Sequence, residues 1–215
     1  MNEHSISISP SGGGVGASVR GVDLSTGLTD KSVKSIRKAL GEYGVLFFYG
    51  QTLTPEQYLA FARYFGDVNI NRFFPAVDGF PEIAEVLKEP TDKSNIGNRW
   101  HSDQSYDIAP ALGSILLARE TPSQGGDTIF ANMFRAYDTL STGLKNTVIK
   151  LKALHSSRHV FGKNNQDYMR DRPGLAERYG NANIAVQDAI HPMIITHPIS
   201  GRKALYINPA FTVGI

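Results

Sequence analysis

Trp100-His101-Ser102-Asp103 places an imidazole and a carboxylate two positions apart in a segment that reads as extended. On a strand, residues i and i+2 share a face, so both side chains can turn toward one metal ion. With a distant second His they would complete a 2-His-1-carboxylate triad, the arrangement that holds Fe(II) and leaves positions open for a co-substrate and O2. By itself His-x-Asp is a common surface pair, and the surroundings must carry the reading.

Working outward, Asn69 to Asn98 is irregular and broken by Pro75, Pro81 and Pro90, with one strand candidate at Ile83 to Leu87. Long loops of this kind wall or cover pockets. After the pair, Gly113 to Ala118 reads as a buried strand, Ser123 to Asp127 as a turn, and Thr128-Ile129-Phe130 as the start of another strand. Helices are expected at Met133 to Leu140 behind Asn132 and at Gly143 to Leu151 behind Ser141, then strands near Ala153-Leu154-His155, Met193 to Ile195 and Ala204 to Ile207. Residues 162 to 188 are polar, without a period, and read as an insert or lid.

On the N-terminal side, Ile6 and Ile8 suggest a short strand before the Gly12-Gly13-Gly14 turn, which lacks the Gly-Lys-Ser/Thr of a phosphate loop. Asp30 is expected to cap a helix whose apolar residues are Val33, Ile36 and Leu40, with Gly44 as its left-handed stop and Val45 to Phe48 as a buried strand. The next helix is written most plainly: Thr54 as N-cap, Pro55 at the first position, Gln57 closing a capping box, Leu59, Ala62 and Phe65 on one face, and Gly66 as stop.

The bulk numbers describe an ordinary globular protein, with one α+β or β-rich domain as the default and two domains still open. The 215 residues are 41% hydrophobic and 20% charged, with a net charge of +2 and Lys and Arg scattered, so nucleic acid is not expected as a partner. Cysteine is absent, which excludes disulfides, Fe–S clusters and zinc-thiolate sites and leaves His, Asp and Glu as metal ligands. No apolar run reaches the length of a membrane span, and Met1 to Ser5 opens no secretory leader, so a cytoplasmic protein without membrane attachment is expected.

In order along the chain, Gly21-Val22-Asp23-Leu24, Gly44 to Phe48, Leu53 to Gln57, Trp100 to Asp103, Pro122 to Thr128, and His191-Pro192 through Thr196-His197-Pro198 to Asn208 resemble the taurine dioxygenase family of Fe(II)- and 2-oxoglutarate-dependent oxygenases. The resemblance implies an α+β, mainly β fold, a distorted double-stranded β-helix or jelly roll flanked by helices, in a single domain over 1–215 whose lids are 69–98 and 162–188. It implies His101 and Asp103 as the first two iron ligands and Thr128 as the residue that hydrogen-bonds a carboxylate of 2-oxoglutarate. It also implies a small, anionic substrate hydroxylated with O2, release of succinate and CO2, and a homo-oligomer. Keeping Asp103 argues against the halogenase variant, in which halide takes that coordination position.

Asn98, Phe73 and Phe211 are candidates for the substrate side, Arg99, Arg72, Phe74 and Phe161 for its surroundings, and Tyr106 for support of the ligands. Trp100 either lines the site or packs in the core, the commoner fate of a lone Trp. The family's third ligand, a His, and its 2-oxoglutarate-binding Arg belong beyond Ile215, so the chain is expected to be part of a longer enzyme. His155, His159, His191 and His197 are read as hydrogen-bonded structural residues. The alternative to the enzyme is a non-catalytic small-molecule-binding or assembly subunit on the same scaffold.

Overall fold

The structure, a computed structural model, describes residues 6–163 and 165–215, so the leader reading of Met1 to Ser5 lies outside the described residues. In chain order the elements are β1 (Ser7–Pro10), β2 (Ala17–Arg20), α1 (Asp30–Tyr43), β3 (Leu46–Phe48), α2 (Pro55–Arg63), β4 (Ala76–Val77), β5 (Phe80–Ala84), α3 (Met133–Asp138) and α4 (Thr142–Val148). There follow β6 (Lys152–Ser156), α5 (Arg158–Phe161), α6 (Gln166–Met169), β7 (Asp188–Pro192), β8 (Ile194–Thr196), β9 (Lys203–Leu205) and β10 (Thr212–Gly214). They fall into two compact units: residues 1–67, 114–140 and 195–205, and residues 68–113, 141–194 and 206–215. Among the described residues no helix is long and apolar enough to cross a membrane.

In the first unit, β1 pairs antiparallel with β2, and β2 pairs parallel with β3 from Ala17↔Leu46 to Val19↔Phe48. A parallel pair needs a crossover, and α1 supplies it. Thr29 rather than Asp30 caps this helix, its hydroxyl accepting from the Ser32 amide, while Asp30 sits in the first turn where a carboxylate meets the positive end of the helix dipole. Gly44 ends it at φ 74°, donating its amide to the Leu40 carbonyl. Gly41 is required by packing: a Cβ there would lie 2.7 Å from Ile199 Cγ2. The box at α2 forms as read, with Thr54 accepting from the Gln57 amide and Gln57 accepting from the Thr54 amide. The helix ends at Arg63, short of Gly66. Leu24, Leu53 and Phe61 form this unit's core, with Phe48 and Phe65 edge-on to Phe61 at 5.6 and 5.3 Å.

In the second unit the sheet order is β10-β6-β7, all antiparallel, and β6 runs against β7 from Lys152↔Pro192 to Ser156↔Asp188. Ala153, His155 and Ser156 are buried on it. Phe73, Tyr106, Val160, Phe161, Leu175 and Phe211 form the core beside the sheet.

Several expected elements shift or dissolve. The strand placed at 83–87 lies at β5, paired with β4, and Val86 and Leu87 are exposed. α3 and α4 stop at Asp138 and Val148, earlier than expected, although Asn132 and Ser141 cap them as read. The stretches 113–118 and 128–130 join no sheet. Ile115 and Leu117 pack against the Leu24–Phe61 core while Leu116 is 75% exposed, so the segment keeps the two-residue alternation of a strand without a ladder. The extended segment assigned to His101–Asp103 is instead a loop entering a turn at 103–106.

Because Phe61 is central and 4% exposed, Phe61→Ala is expected to cost about 3–5 kcal/mol of unfolding free energy. Loss of the cap in Thr54→Ala is expected to cost about 1 kcal/mol. Urea unfolding followed by circular dichroism checks both, and equal costs would contradict this division between core and cap.

Candidate functional site

Although they do not lie on a strand, His101 and Asp103 face each other, with His101 Nε2 3.2 Å from Asp103 Oδ1. The ring is fixed from behind: Nδ1 lies 2.6 Å from the Arg99 carbonyl oxygen, which only accepts, so Nδ1 carries the proton. In the neutral imidazole this leaves the Nε2 lone pair aimed at a carboxylate oxygen. Two electron-pair donors at that distance need a cation between them, and a proton serves: the hydrogen bond to Asp103 first, then the Arg99 carbonyl, raise the His101 pKa against the opposing effect of burial. A divalent metal serves equally. Right-angled ligands at about 2.1 Å from one ion stand roughly 3 Å apart, close to the separation observed. The donor set, one imidazole and one carboxylate with no thiolate, suits Fe(II).

The pair sits at the edge of the second unit's aromatic core. The His101 side chain is 30% exposed and that of Asp103 55%. Phe211 meets the His101 ring edge-on at 6.2 Å and Tyr106 at 4.9 Å. Phe73 stacks on Phe161 at 4.2 Å and is 1% exposed, so its ring backs the core and presents no surface of its own. Asn98 is exposed, its Oδ1 3.5 Å from Arg172 Nε. Trp100 is 51% exposed and is not core. Arg72 does not stand free at a rim; its Nη2 reaches both oxygens of Asp107 at 2.5 and 2.6 Å. Thr128 belongs to the first unit, exposed after the Gly125-Gly126 turn.

Among the described residues no cluster of three His, Asp or Glu side chains gathers to hold a metal. The four remaining described histidines have partners of their own. His197 Nδ1 accepts from the Ser200 amide at 3.3 Å, and His159 Nε2 donates to the Ala210 carbonyl at 2.5 Å. His155 is fully buried, its Nδ1 3.0 Å from Ser105 Oγ. His191 Nε2 lies 3.0 Å from both the Ser105 and the Asp107 carbonyl oxygens. Ser105 and Asn208 are the residues that sequence reasoning missed. Their one visible signal is Ser105 following Asp103 at i+2.

Comparison with known proteins gives consistent matches. Residues 7–215 match the model of the taurine catabolism dioxygenase TauD, TfdA family. The alpha-ketoglutarate-dependent sulfate ester dioxygenase of Pseudomonas putida is 33% identical over 205 residues, covering 94% of this chain and 66% of that protein. The alpha-ketoglutarate-dependent 2,4-dichlorophenoxyacetate dioxygenase of Cupriavidus pinatubonensis is 33% identical over 212 residues, covering 89% and 69%. The crystal structure of a taurine dioxygenase from Burkholderia xenovorans superposes with a TM-score of 0.76 at 30% identity, over 97% of this chain and 65% of that one. The chain spans about half to two thirds of the length of the first curated relatives it matches.

Burial holds the pKa of His155 below its ordinary 6.5, with the neighbouring His191 adding to the effect, and burial does the same to His197. For a group depressed on folding, stability is present above the unfolded pKa and is lost as pH falls toward the folded one. His101, which is raised, runs the other way and loses its contribution as pH rises. The urea midpoint is therefore expected to drop between pH 7.5 and 5.5, and His155→Gln is expected to flatten that drop. An unchanged slope in the variant would contradict the assignment.

Proposed function

This chain belongs to the taurine catabolism dioxygenase TauD, TfdA family, and from that premise we propose that it is an Fe(II)- and 2-oxoglutarate-dependent dioxygenase that hydroxylates a small, anionic organic molecule with release of succinate and CO2. The observation that carries the reading is the convergence of His101 Nε2 and Asp103 Oδ1 on one point. In the finer fold we propose, a double-stranded β-helix, the β10-β6-β7 sheet would be a part, and the protein would act as a cytoplasmic homo-oligomer.

His101 and Asp103 would hold the iron, and the bound metal with 2-oxoglutarate would supply the oxidation of an unactivated C–H bond by O2. The chain's own residues prepare that chemistry. The Arg99 carbonyl holds the His101 tautomer that offers Nε2 as donor. Asp103 brings negative charge that offsets part of the ion's. Thr128 would donate its hydroxyl to a carboxylate oxygen of 2-oxoglutarate. Phe211 would keep water from the apolar side of the centre, with Phe73 packed behind it in the same core, and Asn98 would meet a polar group of the substrate. The substrate class follows the relatives, whose names specify a sulfate ester and an aryloxyacetate; both are small organic molecules carrying one anionic group.

Titrating Fe(II) into the chain calorimetrically under anaerobic conditions, with 2-oxoglutarate present, is expected to show coupled uptake. Asp103→Ala and His101→Ala are each expected to abolish it. Uptake that survives both substitutions, or none by the unsubstituted chain, overturns the reading.

A further inference from the structure

Directly after Asp103 the backbone does something costly. Gln104 adopts φ +52°, the left-handed region that L side chains other than Asn and Asp rarely enter. The Asp107 amide closes the turn by donating to the Gln104 carbonyl at 2.9 Å. Such a conformation persists only where the surroundings over-determine it. They do so here through a buried polar cluster. Ser105 is fully buried, and its Oγ accepts from Asn208 Nδ2 at 3.1 Å while sharing a hydrogen bond with His155 Nδ1 at 3.0 Å. The orientation of Asn208 is set in turn, because its Oδ1 accepts from the Phe211 amide at 2.8 Å. From β7, the Nε2–H of His191 is shared between the carbonyls of Ser105 and Asp107.

We propose that Ser105, His155, Asn208 and His191 form a positioning network that pins the turn to the β10-β6-β7 sheet and thereby holds the Asp103 carboxylate toward His101. The proposal rests on the iron-site reading above and deepens it. No member of the network touches the metal position. Together they hold residues 105–107 of the turn that Asp103 opens, and the strands that carry His155 and His191 are the most extensively paired part of the unit. The turn does not bear its strain alone; the sheet imposes it through side chains up to 103 positions away in sequence.

Three variants test the arrangement: Ser105→Ala, Asn208→Ala, and Gln104→Gly, the last of which makes the left-handed conformation free of its side-chain clash. Two readouts are independent of turnover. One is binding of Mn(II) alone, followed by loss of the free-ion electron paramagnetic resonance signal. The other is hydrogen exchange of the Asp107 amide compared with amides of the β6–β7 ladder. Ser105→Ala and Asn208→Ala are expected to weaken Mn(II) binding by about tenfold or more, the usual range for residues supporting a metal ligand. They should also accelerate Asp107 exchange well beyond that of the ladder. Adding Gln104→Gly to Ser105→Ala is expected to restore most of the lost affinity, which a general loss of core stability would not allow. Mn(II) affinities within twofold of the unsubstituted chain, or Asp107 exchange that merely tracks the ladder, overturn the proposal. If the unsubstituted chain takes up no Mn(II), the iron reading fails separately, and the exchange comparison alone decides whether the network holds the turn.

Discussion

An imidazole lone pair and a carboxylate oxygen 3.2 Å apart repel unless a positive charge lies between them, and the contacts around His101 hold its ring facing Asp103. The Arg99 carbonyl accepts a hydrogen bond from the Nδ1–H of the ring, which disfavours turning that N–H toward Asp103 to relieve the contact. Phe211 lies edge-on against the ring and blocks rotation toward the core. Asp103, more than half exposed, keeps part of its hydration, which lowers the cost of holding its charge there. On the iron-site reading proposed above, the pair would exchange that proton for the metal ion.

What could be read in the sequence divides by range. The caps at Thr54, Asn132 and Ser141 and the stop at Gly44 each depend on groups within four residues, and the chain carries the whole interaction in one stretch. Sheet pairing does not work that way. β10 joins β6 across more than fifty positions, and neither its short run nor that of β2 was legible as a strand, because nothing nearby names the partner. Ile115 to Leu117 shows the converse. Its alternation is strand-like and its inward residues do pack, but a side-chain pattern specifies a buried face and not a hydrogen-bonded neighbour.

The approach of His101 to Asp103 was legible in their types and spacing, while the geometry first offered for it was not the one observed. Residues i and i+2 approach each other here in a loop, just ahead of the bend at left-handed Gln104, and not because a pleat alternates its side chains. That bend is invisible in the residue itself, since glutamine carries no preference for the conformation. It becomes intelligible only with Ser105, His155 and Asn208 in place, three polar residues that in sequence look like surface and in the fold are almost wholly enclosed. Buried polar groups are specified by their partners, and these partners arrive from three separate segments.

The same cluster accounts for the aromatic arrangement around it. Asn208 is held by its bond to the Phe211 amide, so the residue that orients Ser105 also sets where the Phe211 ring lies. Phe211 then contacts Tyr106, which packs on Phe73 and Phe161. Tyr106 follows Ser105 directly in the chain, so the turn is gripped through its polar side by the sheet and through its next side chain by the core. One short turn, tied to a sheet by hydrogen bonds and to a core by an aromatic ring, thus carries both the polar and the aromatic contacts beside the His101–Asp103 pair.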